Sequence, residues 1–186
     1  MESYDFEKIC KNAIIKTDPN ALQQKYCENS NHQYKNVEDS FDVNSGEIIE
    51  GESKIPSEVI VRKTRIKKLA IKPIDAKPLE EAIKAINNAD VIIMGPGSLY
   101  TSIIPNLLVK GIPEAICKSP AKKVYISNVM TQPGETDGFK VSNHLKVLMD
   151  YGVAGNIDYV IANNGIIPPD IKEKYARENA ELVVLD

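Results

Sequence analysis

Short apolar runs and helical patterns alternate from residue 75 to the end of the chain, and this alternation constrains the fold most. Three of the runs, ADVIIMG, KKVYISN and IDYVIAN, are continuous and apolar, as expected of strands buried on both faces. A fourth run, LVVLD, closes the sequence and is also expected to be a strand. The pattern predicts an α/β fold, a mostly parallel sheet with helices on both faces.

Helical spacing marks the segments between these strands. Apolar residues recur at i, i+3, i+4 and i+7 from Leu79, which predicts a helix there. We expect Asp75 to cap this helix, with Pro78 in its first turn. Later helices are predicted from Val141 to Leu148 and in PPDIKEKYAREN. Strands and helices therefore alternate, as the crossover connections of a parallel sheet require.

The first part of the chain is polar and only weakly periodic. We divide the sequence into residues 1–74, a polar N-terminal segment with short β elements around a turn at Asn44-Ser45-Gly46, and residues 75–186, the α/β domain. Residues 59–72, VIVRKTRIKKLAIK, are basic and β-leaning. They could form a phosphate-binding patch, but an edge strand protected by lysines is the favoured interpretation.

Composition excludes several classes of protein. A net charge of −3, a pI near 5.5, 6% aromatic residues and no tryptophan argue against a nucleic-acid partner. Cys10, Cys27 and Cys117 show no C-x-x-C spacing, and His32 and His144 lie far apart, so no metal site is predicted. The first residues, MESYDFEKIC, lack the basic start and apolar core expected of a signal peptide, and no apolar stretch reaches the length of a membrane span. We expect a cytoplasmic protein without membrane insertion.

The loops that leave the predicted strands differ from those that enter them. The leaving loops, GPGS, NVMTQPGETDGF and NNGIIP, are polar and rich in glycine, and the second is longer than a usual connection. The entering loops, NNAD, KSPAKK and GVAGN, resemble ordinary turns. Because ligands of open α/β sheets bind at the carboxyl ends of the strands, this asymmetry favours a ligand site at that edge.

The GPGS loop has two possible roles. Gly95 and Gly97 would let the backbone approach an anion, and the hydroxyl groups of Ser98, Thr101 and Ser102 would donate hydrogen bonds to it. Alternatively, the loop is only a tight turn, with Ser98 or Ser102 as the helix cap. The spacing matches neither a Walker A loop nor G-x-G-x-x-G. The residues alone leave both interpretations open.

The MTQPGET loop, Met130 to Thr136, carries one carboxylate, Glu135. Its Pro133-Gly134 pair predicts the centre of a type II turn. The loop could bind a ligand or could be a structural turn that caps the helix before Val141. Its length favours binding.

His144 falls beside the apolar face of the predicted helix, where a structural role is favoured over a catalytic one. No paired carboxylates, Ser-His-Asp set or metal-ligand cluster is visible in the sequence. We therefore predict no catalytic residue and no metal ligand.

Two long segments resemble a known family. IIMGPGSLYTSIIPNLLVKGIPEAI and VYISNVMTQPGETDGFKVSNHLKVL closely resemble the CofD-like family, in particular its branch of gluconeogenesis factors (YvcK-like proteins). The resemblance is specific over residues 89–150 and continues through 151–186. Upstream, GEIIEGESKIP is similar to a small β segment of that family, whereas residues 10–44 depart from it.

This resemblance implies a Rossmann-like fold that binds phosphorylated, nucleotide-type ligands. One branch transfers a phospholactyl group to a deazaflavin with a metal; the other binds UDP-sugars and is linked to growth on gluconeogenic carbon and to cell shape. MTQPGET resembles the second branch. The ligand-binding residues implied are Gly95, Pro96, Gly97, Ser98, Thr101 and Ser102 on the phosphate side, and Thr131, Gln132, Gly134 and Glu135 on the facing loop.

The family usually opens with a glycine-rich G-G-G-T-G loop and an acidic, metal-side loop, and this sequence has neither. We therefore expect a C-terminal portion of a longer protein, incomplete at its N-terminus, that holds half of a site. No cofactor is expected in this chain, and a metal only together with the other half. The primary expectation is a UDP-sugar-binding or other phosphorylated-ligand-binding regulatory protein. Alternatives are a 2-phospho-L-lactate transferase-like enzyme, or an inactive remnant whose exposed apolar edge makes it a homo-oligomer.

Overall fold

Two three-stranded sheets organise the part of the chain that the computed structural model describes, residues 37–42, 48–153 and 157–186. The first sheet is antiparallel, with the order β2-β1-β3, and consists of β1 (Val37–Asp42), β2 (Ile48–Glu50) and β3 (Ile66–Lys72). The second is parallel, with the order β4-β5-β6, and consists of β4 (Val91–Met94), β5 (Lys122–Ile126) and β6 (Tyr159–Ile161). The three predicted parallel strands are therefore confirmed, but the prediction that each is buried on both faces is wrong for β6, whose Tyr159 and Val160 are exposed.

Six α-helices accompany these strands in the described residues. They are α1 (Ile55–Arg62), α2 (Glu80–Asn87), α3 (Ile104–Leu108), α4 (Ile112–Lys118), α5 (Val141–Leu148) and α6 (Pro169–Arg177). A 3₁₀ turn, Glu52–Lys54, leads into α1, and two wide π-helical turns, Leu99–Ile103 and Met149–Val153, precede α3 and extend α5. The predicted alternation of helix and strand is confirmed through α6.

The final segment, LVVLD, is not the predicted fourth strand of the parallel sheet. Leu182 forms an isolated antiparallel bridge with Met130, and the Val183 amide donates to the Val129 carbonyl at 3.0 Å. A short turn after α6 returns the chain beside the segment that leaves β5, so it runs antiparallel to that segment. Leu182 and Val184 are substantially exposed, which a strand buried on both faces would not allow.

Asp75 is not the cap of α2. The helix begins at Glu80, its N-cap position is Leu79, and Asp75 lies in the preceding turn. Pro78 explains the difference, because the residue before a proline is disfavoured in the helical region and the helix can start only beyond it. The apolar face predicted for α2 is nevertheless confirmed by the burial of Ile86.

The basic segment 59–72 divides into a helix and a strand. Its first residues belong to α1, which the β prediction missed, because Ile55 and Val59 are buried on one helical face. From Ile66 onward the edge strand is confirmed: β3 is one of the two outer strands of its sheet, and its lysines are exposed. The turn predicted at residues 44–46 lies outside the described residues.

One hydrophobic core connects the two sheets. Ile49 and Leu69 of the antiparallel sheet belong to the same buried cluster as Ile92 and Tyr125 of the parallel sheet. The Leu69 amide also donates to the hydroxyl of Tyr151 at 2.7 Å, which fixes β3 against the extension of α5. The predicted domain boundary after residue 74 stays a prediction. Within the described ranges no helix combines the length and apolar character needed to cross a bilayer.

Candidate functional site

The GPGS loop leaves β4 in close contact with β5. Gly95 has φ of +84°, and a Cβ atom there would lie 2.5 Å from the carbonyl oxygen of Ile126. Both facts require glycine at this position. The peptide bond to Pro96 is cis, and Pro96 is exposed while Gly97 and Ser98 are half-buried. The backbone of this loop therefore lies at the surface of the carboxyl edge, as predicted.

A wide helical turn follows the loop. The Ser98 carbonyl accepts hydrogen bonds from the amides of Ser102 and Ile103, both at 3.0 Å. Pro105 has no amide hydrogen, and the wide turn precedes it, so α3 begins with the proline in its first turn. Ser98 stands at the N-cap position of the wide turn, as one of the two predicted caps, but its side chain makes no capping hydrogen bond; Ser102 lies within the turn.

Glu135 supplies the cap instead. Its Oε2 accepts the amide hydrogen of Tyr100 at 3.1 Å, and its Oε1 accepts the hydroxyl hydrogen of Thr101 at 2.8 Å. Both Glu135 and Thr101 are buried. A carboxylate suits this position, because helix N-termini carry a partial positive charge. Two of the loops predicted to form the site are thus joined by one side chain.

Burial controls the ionisation of this contact. Desolvation raises the pKa of Glu135 above its ordinary value, and the hydrogen bonds from Thr101 and Tyr100 offset part of that increase. Burial, with smaller contributions from Tyr151, Asp150 and Glu135, also raises the pKa of Tyr100 to about 12. Because Glu135 already occupies the first turn of the helix, an anionic ligand would have to use the remaining amide and hydroxyl groups of the loop.

Asn128 is a second connection, which the sequence interpretation missed. Its Oδ1 accepts the amide hydrogen of Gly97 at 3.2 Å, and its Nδ2 donates to the Gly97 carbonyl at 2.9 Å. Both polar backbone groups of one glycine are thereby satisfied by one amide side chain. Its place at the end of the KKVYISN run, at the carboxyl end of β5, was the available signal.

The MTQPGET loop contains the predicted turn. The Glu135 amide donates to the Gln132 carbonyl at 3.0 Å, and Gly134 has φ of +80°, as a type II turn requires. The hydroxyl of Thr136 accepts the Gln132 amide hydrogen at 2.8 Å. A Cβ atom on Gly134 would lie 2.3 Å from the Pro56 carbonyl oxygen, so α1 packs directly against this turn.

The turn does not cap the helix before Val141, which was the structural alternative. That helix, α5, is capped by other groups: the Lys140 amide donates to Asn143 Oδ1 at 2.8 Å, and the Ser142 amide donates to Asp186 Oδ1 at 3.0 Å. The loop is therefore tied to the helix that precedes it in the chain, through Glu135.

The predicted site residues separate by accessibility. Thr101, Thr131, Gly134 and Glu135 are buried; Gly95, Gly97, Ser98, Ser102 and Gln132 are half-buried; and Pro96 is exposed. Thr131 is directed toward the C-terminal segment, where its hydroxyl accepts the Glu181 amide hydrogen at 2.8 Å. The buried residues build the site, and the others present groups at its surface. Their roles toward a ligand stay predictions.

His144 has the structural position expected of it. The side chain is fully buried, its Nδ1 lies 2.9 Å from the Lys140 carbonyl oxygen, and its ring meets Phe139 edge-on at 5.5 Å. Its Nε2 and the hydroxyl of Tyr125 are buried without a hydrogen-bond partner among the described residues. Burial lowers the pKa of His144, and the hydrogen bond with Lys140 offsets part of the shift.

A metal site does not fit the residues present. In the described ranges, no three His, Cys, Asp or Glu side chains are grouped so that they could hold a metal ion. Both oxygens of Glu135 already accept hydrogen bonds.

A parallel sheet whose first two strands each lead into a polar loop at one edge defines a Rossmann-like α/β protein. The model of the family described as "2-phospho-L-lactate transferase CofD" matches residues 30–186, and the chain belongs to this family.

Curated relatives place the chain in the branch of the gluconeogenesis factors. It is 50% identical over 145 residues to the gluconeogenesis factor of Halalkalibacterium halodurans and 48% identical over 145 residues to that of Bacillus subtilis. Each match covers 78% of this chain and 44% of the relative. The chain thus spans less than half the length of these relatives.

Solved structures agree with this placement. Two crystal structures from Bacillus halodurans, one described as a UPF0052 family protein, match at a TM-score of 0.75 and 48% identity. Each match covers 81% of this chain and 47% of the solved chain. The α/β fold predicted from the sequence is confirmed.

Proposed function

We propose that this chain forms part of a nucleotide-sugar-binding regulatory protein of the gluconeogenesis-factor type. Its GPGS loop and its 130–136 loop would contact a UDP-sugar, and the protein would act in carbon metabolism and in control of cell shape. The observation that carries the proposal is the buried Glu135 bridge. It fixes two polar loops from neighbouring strands in one place, with Gly97 and Ser98 half-buried beside the exposed Pro96.

The electrostatics favour a particular mode of recognition. The three leaving loops, residues 95–98, 128–139 and 163–168, contain no lysine or arginine. A diphosphate would therefore be held mainly by backbone amides and hydroxyl groups. Such groups recognise the shape of a phosphate as well as its charge. Because this chain spans less than half of its relatives, further contacts would come from the remainder of the fold.

Isothermal titration calorimetry with UDP-N-acetylglucosamine tests the proposal. The titration is made on this chain and on the protein encoded by the complete gene, with N-acetylglucosamine as the ligand without phosphate. Heat of binding from the nucleotide sugar, and none from the free sugar, is expected. Absence of heat from both proteins at about 1 mM ligand, an affinity too weak for a specific site, would contradict it.

Two variants sharpen the test without disturbing the fold. A Cβ atom on Gly97 would meet Ser102 Cβ at 3.7 Å, an ordinary contact, so Gly97→Ala should fold but obstruct the approach of a phosphate. Ser98→Ala removes a hydroxyl that takes no part in capping. Each should weaken binding by about tenfold. Ser57→Ala is the matched control, because that exposed hydroxyl donates only to the Lys54 carbonyl, at 2.9 Å.

Phospholactyl transfer is the second candidate, because the matching family model carries that description. An assay of the complete protein with a deazaflavin acceptor and an activated phospholactate donor separates the two functions. Turnover that Gly97→Ala abolishes would favour the enzyme. Binding of a UDP-sugar without turnover would favour the regulatory protein.

A further inference from the structure

Two neighbouring polar groups in the core lack the hydrogen bonds that buried polar groups normally make. The hydroxyl of Tyr125 and the Nε2 atom of His144 are buried, and neither has a hydrogen-bond partner among the described residues. The two rings are neighbours, with centroids 6.5 Å apart. Both side chains are fully buried within this chain, so a group from outside it does not reach them. Because an unpaired buried polar group is costly and rare, two such groups together require a shared partner.

The two groups are chemically complementary. Nδ1 of His144 lies 2.9 Å from the Lys140 carbonyl oxygen, which can only accept, so Nδ1 carries the ring proton. Burial lowers the pKa of His144, so the ring is neutral at pH 7 and its Nε2 presents a lone pair. Burial raises the pKa of Tyr125, so its hydroxyl keeps a proton to donate. Tyr125 therefore has a donor without an acceptor, and His144 has an acceptor without a donor.

A water molecule suits this pair. The two atoms are not hydrogen-bonded to each other, whereas a bridge through one water spans about 4.5 to 5.5 Å. Ser127 adds a third polar group: it is buried, and its hydroxyl is close enough to offset part of the rise in the pKa of Tyr125. The Ser127 hydroxyl donates to the Asn128 carbonyl at 3.2 Å, so its oxygen is still able to accept. Buried waters typically make about three hydrogen bonds, which these three groups supply.

The position of the pair connects it to both candidate ligand loops. Tyr125 precedes the loop of residues 128–139 and His144 follows it, so a bridge between them closes this loop at its base. The His144 ring also meets Phe139, the last residue of the loop, edge-on at 5.5 Å. On the other side, Cε2 of Tyr125 lies 3.5 Å from where a Cβ atom of Gly95 would stand. The GPGS loop and the longer loop therefore both rest on this pair of rings.

We propose that one buried water molecule bridges the Tyr125 hydroxyl and His144 Nε2, and that these two side chains are positioning residues for the candidate site. Tyr125 donates to the water, and the water donates to His144 and to the Ser127 oxygen. The bridge depends only on residues of this chain. Its effect on a ligand rests on the proposed function, because the loops that it holds are those that would contact the UDP-sugar.

Nitrogen-15 and proton NMR of this chain test the bridge without a ligand. His144 should be the tautomer protonated on Nδ1, its Nε2 should show the shift of a hydrogen-bonded acceptor, and a long-lived water should cross-relax with both rings. Tyr125→Phe removes one oxygen atom and should weaken the water signal and move the Nε2 resonance toward that of a free nitrogen. Tyr175→Phe is the matched control, because that ring is 38% exposed on α6, and it should change neither signal.

Urea denaturation and calorimetry measure what the bridge does. Tyr125→Phe should lower the folding equilibrium constant by about fivefold. His144→Gln keeps an acceptor oxygen and should cost less than His144→Leu, which has none. Combining Tyr125→Phe with His144→Leu should cost less than the sum of the two, because either one breaks the bridge. In the protein encoded by the complete gene, Tyr125→Phe should weaken binding of UDP-N-acetylglucosamine by about threefold to tenfold, and Tyr175→Phe should not.

Three results would overturn the proposal. A wild-type His144 protonated on Nε2, or an Nε2 without a hydrogen bond, would remove the bridge. Strictly additive costs of Tyr125→Phe and His144→Leu would show that Tyr125 pairs with Ser127 alone. Unchanged affinity in Tyr125→Phe would remove the positioning role. If the wild-type protein binds no UDP-sugar, the proposed function fails and the positioning role with it, whereas the NMR signals still decide whether the bridge exists.

Discussion

Replacement of Glu135 by alanine should destabilise the protein, whereas replacement by glutamine should not. Alanine leaves the buried Tyr100 amide and the Thr101 hydroxyl without their acceptor. Glutamine can keep both contacts, because its carbonyl oxygen accepts from Tyr100 and its amide nitrogen donates to the Thr101 oxygen. The pair of variants therefore separates the hydrogen bonds of Glu135 from its charge.

The magnitude follows from the two orphaned groups. A buried donor without a partner costs about 1 to 3 kcal/mol, and loss of a helix cap costs about 0.5 to 2 kcal/mol. Removal of the buried carboxylate recovers part of its desolvation cost, so the net loss for Glu135→Ala should be about 2 to 4 kcal/mol. In a chain of 186 residues each kcal/mol lowers Tm by about 2 to 4 °C, so a decrease of about 4 to 16 °C is expected.

Urea denaturation followed by circular dichroism measures the free energy of unfolding. A double-mutant cycle with Thr101→Val isolates the hydrogen bond between the two side chains, which should contribute a coupling energy of about 1 to 2 kcal/mol. Loss of less than about 0.5 kcal/mol in Glu135→Ala would refute the capping role. Equal destabilisation by alanine and glutamine would show that the charge, not the hydrogen bonds, holds the loops.

The dependence on pH gives an independent check. The folded pKa of Glu135 is raised, so the folded state retains its proton to a higher pH than the unfolded state does. Stability from this group is therefore present at low pH and declines as pH rises from about 4.5 through the folded pKa. The stability of Glu135→Gln relative to the wild type should increase over that interval and then become constant. A constant difference across the interval would contradict the raised pKa.

Three further predictions follow from the glycine, histidine and asparagine contacts. Gly95→Ala should lower the free energy of unfolding, measured by urea denaturation, by about 2 kcal/mol or more, because φ is +84° and the new Cβ would lie 2.5 Å from the Ile126 carbonyl oxygen. Gly97→Ala is the control and should lower it by less than about 1 kcal/mol. Burial lowers the folded pKa of His144, so the free energy of unfolding of the wild type should fall as pH decreases below about 6.5, the unfolded pKa. His144→Leu should lose this dependence on pH. A dependence that persists in the variant would show that other groups cause it. Asn128→Ala should lose about 1 to 2 kcal/mol in urea denaturation and weaken UDP-N-acetylglucosamine binding in calorimetry, and unchanged values of both would remove Asn128 from the site.

The parallel sheet could be predicted because its strands carry their burial in local sequence. Val91–Met94 is apolar at every position, and three of its four residues are buried. The first helix could not be predicted in the same way, since the β-branched residues at 59–61 favour a strand and only tertiary burial of Ile55 and Val59 makes the segment helical. Local secondary-structure propensity predicts the element correctly where tertiary packing agrees with it, and wrongly where packing opposes it.

Prediction of the candidate site was likewise limited to local features, because its contacts join residues that are far apart in the sequence. The loops and the turn at Pro133-Gly134 follow from glycine, proline and position along the chain. The partners of those loops do not, because Glu135 is separated by 35 residues from Tyr100, and Asn128 by 31 from Gly97. A serine within the turn was the expected cap, but a distant carboxylate replaces it. Spacing along a sequence identifies candidates, whereas pairings across the fold require the fold itself.

The contact between Gly134 and Pro56 also sets where the protein can be cut. A fragment that begins at residue 75 would contain all ten predicted ligand-binding residues, yet it would lack the carbonyl against which the 132–135 turn is seated. The smallest piece that keeps these loops in their native shape must therefore begin before α1. Fragments of this protein should therefore include α1, even though the regular alternation of strand and helix in the sequence begins only at residue 75.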